Sequence, residues 1–128
     1  MTDLERIGGE AALESIMDDF VDRCFDDVMI GFFFRRANRE RIKRLERELA
    51  AAHLGGQGIY TGRPMREAHA RHPILGGHFN RRIQILRETL ADHGVPEDVR
   101  ARWIAHDESL RVDVTSRPDT SCNDLEER

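Results

Sequence analysis

His69 and His72 stand three residues apart in "PMREAHARHPILGGHF" (64–79). That spacing places two imidazoles on one helical face, an arrangement that can serve a metal ion. The pattern is weak alone, because single histidines are more often packed or surface residues. Pro73 also forbids a helix through His69 from running much further.

A second chemical signal lies upstream. In helical register Ile42, Leu45, Leu49 and His53 form one narrow stripe, and Glu46 falls inside it. A carboxylate on a core face must be paired, protonated or turned to a polar cavity. Two readings follow: Glu46 sits at the stripe edge and either snorkels outward or pairs with an arginine, or its face looks into a cofactor or ligand pocket. A third combines His69 and His72 with Glu46 or His53 as a metal site. His78, His93 and His106 have no partner of compelling spacing and read as structural.

Arg35, Arg36, Arg39, Arg41, Lys43, Arg44 and Arg47 form a basic run in an otherwise acidic chain. It reads as a solvated helix face with Glu40 and Glu48 as partners, or as a means of capturing the carboxylates of a bound cofactor.

The elements that must position these groups are helical. Leu13, Ile16, Met17, Phe20, Val21 and Cys24 recur at three- and four-residue spacing, with Gly8-Gly9 before them and Asp26-Asp27 at the end or a bend. "VMIGFFF" (28–34) is too short for a long helix. A second helix is expected from Arg39 to Leu54, stopped by Gly55-Gly56. "GGQGIYTGRP" reads as loop. A short helix at Met65 to Ala70 precedes an amphipathic one carrying Phe79, Ile83, Leu86 and Leu90. Pro96 suits the first turn of the last helix, whose face carries Val99, Trp103, His106 and Leu110. No strand pair or repeat is visible, so the class is all-α. Residues 1–115 read as one domain, and 116–128 as a disordered polar tail.

The 128 residues carry a net charge of -4 and a pI near 5.9, which does not suggest nucleic-acid binding. No apolar run can span a bilayer. Cys24 and Cys122 cannot build a disulfide framework, so a reduced, cytoplasmic protein is expected. Oligomeric state leaves no trace in the sequence.

"IGGEAALESIMDDF", Phe33-Phe34, "LGG", "YTGRPMREAH", "HF", "GVP" and "VDVTS" together resemble the truncated (2/2) haemoglobins, group I in type, over roughly residues 4 to 116. The resemblance implies a two-over-two helical sandwich, haem b as cofactor, and His69 as the ligand to its iron. It implies a pocket lined by Phe20, Val21, Phe34, Ile42, Leu45, Glu46, Leu49, Ala50, Tyr60, Met65 and Phe79. It also implies a small diatomic ligand, O2, NO or CO, with NO or peroxide redox chemistry and an unidentified reductase as further expectations.

The sequence departs from that family on the distal side. Val21 stands where the family usually carries a tyrosine that hydrogen-bonds dioxygen, and Glu46 stands where a glutamine often helps. Val21 offers no donor. Glu46, if protonated by burial, could donate or act as a distal acid–base group. The departures leave open a globin-fold interaction or sensory module that has lost or repurposed haem. Enzymatic turnover is left open as well.

Overall fold

The computed structural model describes residues 1–56, 59–69 and 74–115, the side chains of Ala68 and His69 excepted. His72, Pro73, Cys122 and the expected tail at 116–128 lie outside the described residues. The described elements are α1 (Asp3–Ile7), α2 (Gly9–Asp26), a 3-10 turn (Gly31–Phe34), α3 (Arg39–His53), α4 (Met65–His69), α5 (Gly76–Asp92), α6 (Glu97–Glu108) and α7 (Arg111–Val114). Among these residues there is no strand, and no helix is long and apolar enough to cross a membrane.

Local chemistry explains the boundaries. The Thr2 hydroxyl accepts from the Glu5 backbone N–H while the Glu5 carboxylate accepts from Thr2 N–H, so α1 starts on a capping box. This short helix goes beyond the expected elements. It ends at Gly8, whose φ of 113° an L side chain rarely adopts, and the chain turns there directly into α2. The Asn38 side chain accepts from Arg41 N–H at 3.0 Å and starts α3.

The last expected helix divides. Helix α6 stops at Glu108, and Leu110 is the N-cap of the short α7 instead of a residue on the α6 face. Pro96 takes the N-cap of α6, one position earlier than its expected place in the first turn.

The apolar stripe of α2 forms the centre. Leu13, Ile16, Met17, Phe20, Val21 and Cys24 are all buried. Helix α2 packs on α3 and on α5, and α5 packs on α6, giving two helix pairs laid over one another. Trp103, Val99, Leu86 and Leu90 close the core on the other side. The Thr89 hydroxyl is buried without loss because it donates to the Ile85 carbonyl at 2.7 Å.

The "VMIGFFF" segment is neither core nor helix throughout. Val28, Met29 and Phe32 are exposed while Ile30 is buried. Asp27 organises it: its carboxylate accepts from the N–H groups of Met29 and Ile30 and from Arg81 at 2.7 Å. Those bonds hold Asp27 below the usual carboxylate range, with Arg81 the main cause. A side chain at Gly31 would meet the Phe25 carbonyl at 2.5 Å, so only glycine lets the 3-10 turn press against α2. This close approach aims Phe33 and Phe34 inward.

Candidate functional site

Between α2, the 3-10 turn, α3, α5 and the start of α7 lies a cavity of about 420 Å³. Helix α2 contributes Phe20, Val21, Cys24 and Phe25, and the turn contributes Ile30, Phe33 and Phe34. Ile42, Leu45, Glu46 and Leu49 of α3 reach it at the three- and four-residue spacing of one helical face. Tyr60, Met65, Phe79, Leu110 and Val114 complete most of the apolar wall. A volume of this size and an apolar wall with few polar groups are what a cofactor-sized ligand requires.

The expected pocket residues Phe20, Val21, Phe34, Ile42, Leu45, Glu46, Leu49, Tyr60, Met65 and Phe79 therefore border one space. Ala50 does not line it. It is buried beside a much smaller void between α2, α3, α5 and α6. Helix α4 ends at His69, four residues after Met65, which meets the cavity. The Cys24 thiol is pushed up to about 12 by burial, which makes it an inert packing group and not a nucleophile. Burial also raises the Tyr60 phenol.

Sequence reasoning missed the polar heart of this cavity. Arg82 of α5 lines the same wall as Glu46 and donates to both of its carboxylate oxygens, at 2.8 and 3.2 Å. Its other terminal nitrogen donates to Asp107 of α6 at 2.8 Å. The Asp107 side chain is only 6 % exposed, against 21 % for Arg82 and for Glu46. Burial opposes the charge on Arg82, but the Glu46 and Asp107 carboxylates outweigh it and hold the guanidinium charged above its ordinary range. Burial likewise works against the Asp107 anion, and Arg82 with His106 keeps it below the usual carboxylate range. The Arg82 guanidinium also lies 5.1 Å from the centre of the Phe20 ring.

Glu46 thus pairs with an arginine and also lines the cavity, so the two readings of its place on the stripe meet in one residue. Both oxygens of the Glu46 carboxylate accept from one nitrogen of the Arg82 guanidinium, which sets a positive charge directly against it. No signal in the local sequence marks Arg82, because it follows the ordinary polar Asn80-Arg81 on α5 and its partners lie 36 and 25 positions away.

The basic run divides by position. Arg39 bonds Asp22, Lys43 lies against Asp22 at 3.1 Å, and Arg44 lies against Glu48. Arg36 and Arg41, by contrast, line the cavity with Arg63. These three guanidinium groups, besides the Arg82–Glu46 pair, on a largely apolar wall suit a flat apolar group that carries carboxylates, and haem b has that character. The residues present therefore fit haem.

The chain matches the bacterial-like globin family over residues 2–116. It is 37 % identical to a group 1 truncated haemoglobin, GlbN, of Mycolicibacterium paratuberculosis over 94 residues, which is 73 % of this chain and 69 % of that one. It is 34 % identical to the GlbN of Synechocystis over 105 residues, 79 % of this chain and 85 % of that one. The crystal structure of truncated haemoglobin from Tetrahymena pyriformis in its Fe(III) form superposes with a TM-score of 0.84 at 27 % identity, covering 90 % of this chain and 98 % of that one. The protein belongs to the truncated haemoglobins of the bacterial-like globin family, group 1 in type, and haem iron is its expected cofactor.

Proposed function

We propose that this chain holds haem in the cavity bounded by α2, α3 and α5, with His69 as the iron ligand, and binds a diatomic gas there. The observation that carries the reading is the cavity itself: apolar walls, arginines at positions 36, 41 and 63 for the carboxylates, and a helix ending at residue 69 beside it. When bound, haem supplies an iron that coordinates O2, NO or CO.

The residues of this chain then decide which ligand is favoured. Phe20, Val21, Ile42 and Leu45 exclude water from the ligand's side and offer it no hydrogen bond. Arg82 lines the same cavity, but its terminal nitrogens already donate to Glu46 and Asp107, which hold the guanidinium in place. With no hydroxyl at position 21, the walls suit NO and CO, which depend less on a donor than dioxygen does. Glu46 remains the candidate acid–base residue of the pocket. Sustained turnover of NO or peroxide would call for an electron-donating partner protein.

The test is the absorption spectrum of the purified chain titrated with haemin, oxidised and reduced, for wild type and His69→Ala. A sharp Soret band at one haem per chain, shifted or abolished in the variant, is the expected result. Stoichiometric haem binding with an unchanged spectrum in His69→Ala would remove His69 as the ligand. No stoichiometric binding by the wild type would make the chain a repurposed globin fold.

A further inference from the structure

A second polar cluster lies behind the cavity, where the end of α3 meets α6. His53, His106 and Asp107 each offer a ligand atom, and these atoms all lie within 4.8 Å of one another. We propose that these three residues form a binding site for a divalent transition ion of the zinc type, separate from the haem cavity and joining α3 to α6.

The cluster is more than a chance meeting of polar groups. Nε2 of His53 is buried and has no hydrogen-bond partner among the described residues. A buried nitrogen left in that state calls for a physical explanation, and a missing ligand is one. The His53 and His106 rings stack with centroids 4.0 Å apart, and Trp103 packs edge-on against His53 at 5.6 Å, so the His53 ring has a fixed place. Nδ1 of His106 is 3.3 Å from Oδ1 of Asp107. That matches the roughly 3.3 Å separation between two ligands on a tetrahedral zinc, given metal–ligand bonds of about 2.0 Å. The widest pair of ligand atoms needs to close by no more than about 1.5 Å, within reach of rotation of the His106 ring and the Asp107 carboxylate about the fixed His53.

The electrostatics agree with the geometry. Arg82 occupies Oδ2 of Asp107, as an outer-shell donor does when it orients a metal-binding carboxylate, and Oδ1 faces His106 Nδ1, the other proposed ligand beside it. Glu46 and Asp107 both face the single Arg82 charge, so the surroundings keep a surplus of negative charge to oppose a dication's desolvation. The His106 side chain is 31 % exposed, which gives an ion a way in. Two imidazoles and one carboxylate suit zinc, nickel or copper better than calcium or magnesium.

The site stands apart from the haem reading, and the experiment keeps them apart. Haem-loaded protein is titrated with zinc sulfate and followed by calorimetry and by metal analysis after gel filtration, with the Soret band recorded alongside. The expected result is one zinc per chain, a raised thermal midpoint because the ion binds the folded state only, and an unmoved Soret band. His53→Leu and His106→Gln should each weaken zinc binding by roughly tenfold or more. The second variant changes a partly exposed residue, so it keeps the test valid if the first folds poorly. Zinc that binds unchanged in a folded His106→Gln variant overturns the proposal, as does the absence of stoichiometric zinc in the wild type. If the chain takes no haem, the same titration on the haem-free protein decides the zinc site on its own.

Discussion

Two networks of the same chemistry occupy opposite surroundings in this molecule. On the surface, Arg6 bonds Asp98 at 2.6 and 2.9 Å, and Arg102 bonds both oxygens of Asp3 at 2.8 Å and Asp98 at 2.9 Å, clasping α1 to α6. Inside, Arg82 joins Glu46 of α3 to Asp107 of α6 at the same distances. The hydrogen-bond lengths do not distinguish them, but solvent does: the Asp98 side chain is 51 % exposed and that of Asp107 is 6 %. Water and salt can replace any lost partner on the surface, so those bonds add little net stability. Inside, a lost partner leaves a charge in a medium that cannot solvate it.

The comparison breaks most sharply at Arg82. Arg82→Met should cost about 3 kcal/mol or more in chemical denaturation, because Asp107 and Glu46 then face each other unpaired. Adding Asp107→Leu and Glu46→Leu to that variant should return much of the loss, since an apolar triad of similar volume avoids the desolvation penalty altogether. Full wild-type stability in Arg82→Met alone would show that water reaches the triad and that both networks belong to the surface class.

His53 tests the same contrast with a group that has no ion partner of its own among the described residues. The ring is pushed down to about 4 in the folded chain from its ordinary 6.5, chiefly by burial and next by His106. Between those values the unfolded chain takes up a proton that the folded chain refuses. Stability is therefore complete above about pH 6.5 and falls as the pH drops towards 4, by on the order of 1–2 kcal/mol once partial exposure of the ring is allowed for. Asp107 and Asp3 act against the shift, and His106 acts with it. Thermal melts from pH 7.5 to 4.5 should show this slope in the wild type and lose it in His53→Leu. Parallel slopes in the two proteins would exclude His53 as its source.

The smallest effect is expected at Asp98. Asp98→Asn should lower the thermal midpoint far less than Arg82→Met, and the difference from wild type should shrink between 0.05 and 0.5 M salt, about the range over which screening becomes short-ranged. A salt-independent loss as large as that of Arg82→Met would remove the distinction between the networks.

Much of the helical frame was legible along the chain. The stripes of α2, α3 and α5 follow from periodicity, because each helix must bury one face whatever it packs against. Glu46 could be singled out for the same reason, as an ionisable residue within an apolar stripe of its own helix. The short helix at Met65–His69 and the stop after α3 came from glycine and proline, whose effects on the backbone are local.

What pairs with Glu46 was decided only by folding. An arginine 36 residues later and an aspartate 25 residues beyond that arginine have no mark in the sequence, and both become legible once α3, α5 and α6 converge. His106 read as a structural residue with no partner, and the tertiary fold stacks it on His53, more than fifty positions upstream. The exposure of Val28, Met29 and Phe32 is of the same kind, because Asp27 and Gly31 pin the chain in a turn that leaves those apolar side chains outside. Patterns within one helix depend on its own 3.6-residue period and can be read from the chain alone. Contacts between helices depend on where the backbone returns in space, and for this protein those returns set the polar side of the cavity and the histidine cluster behind it.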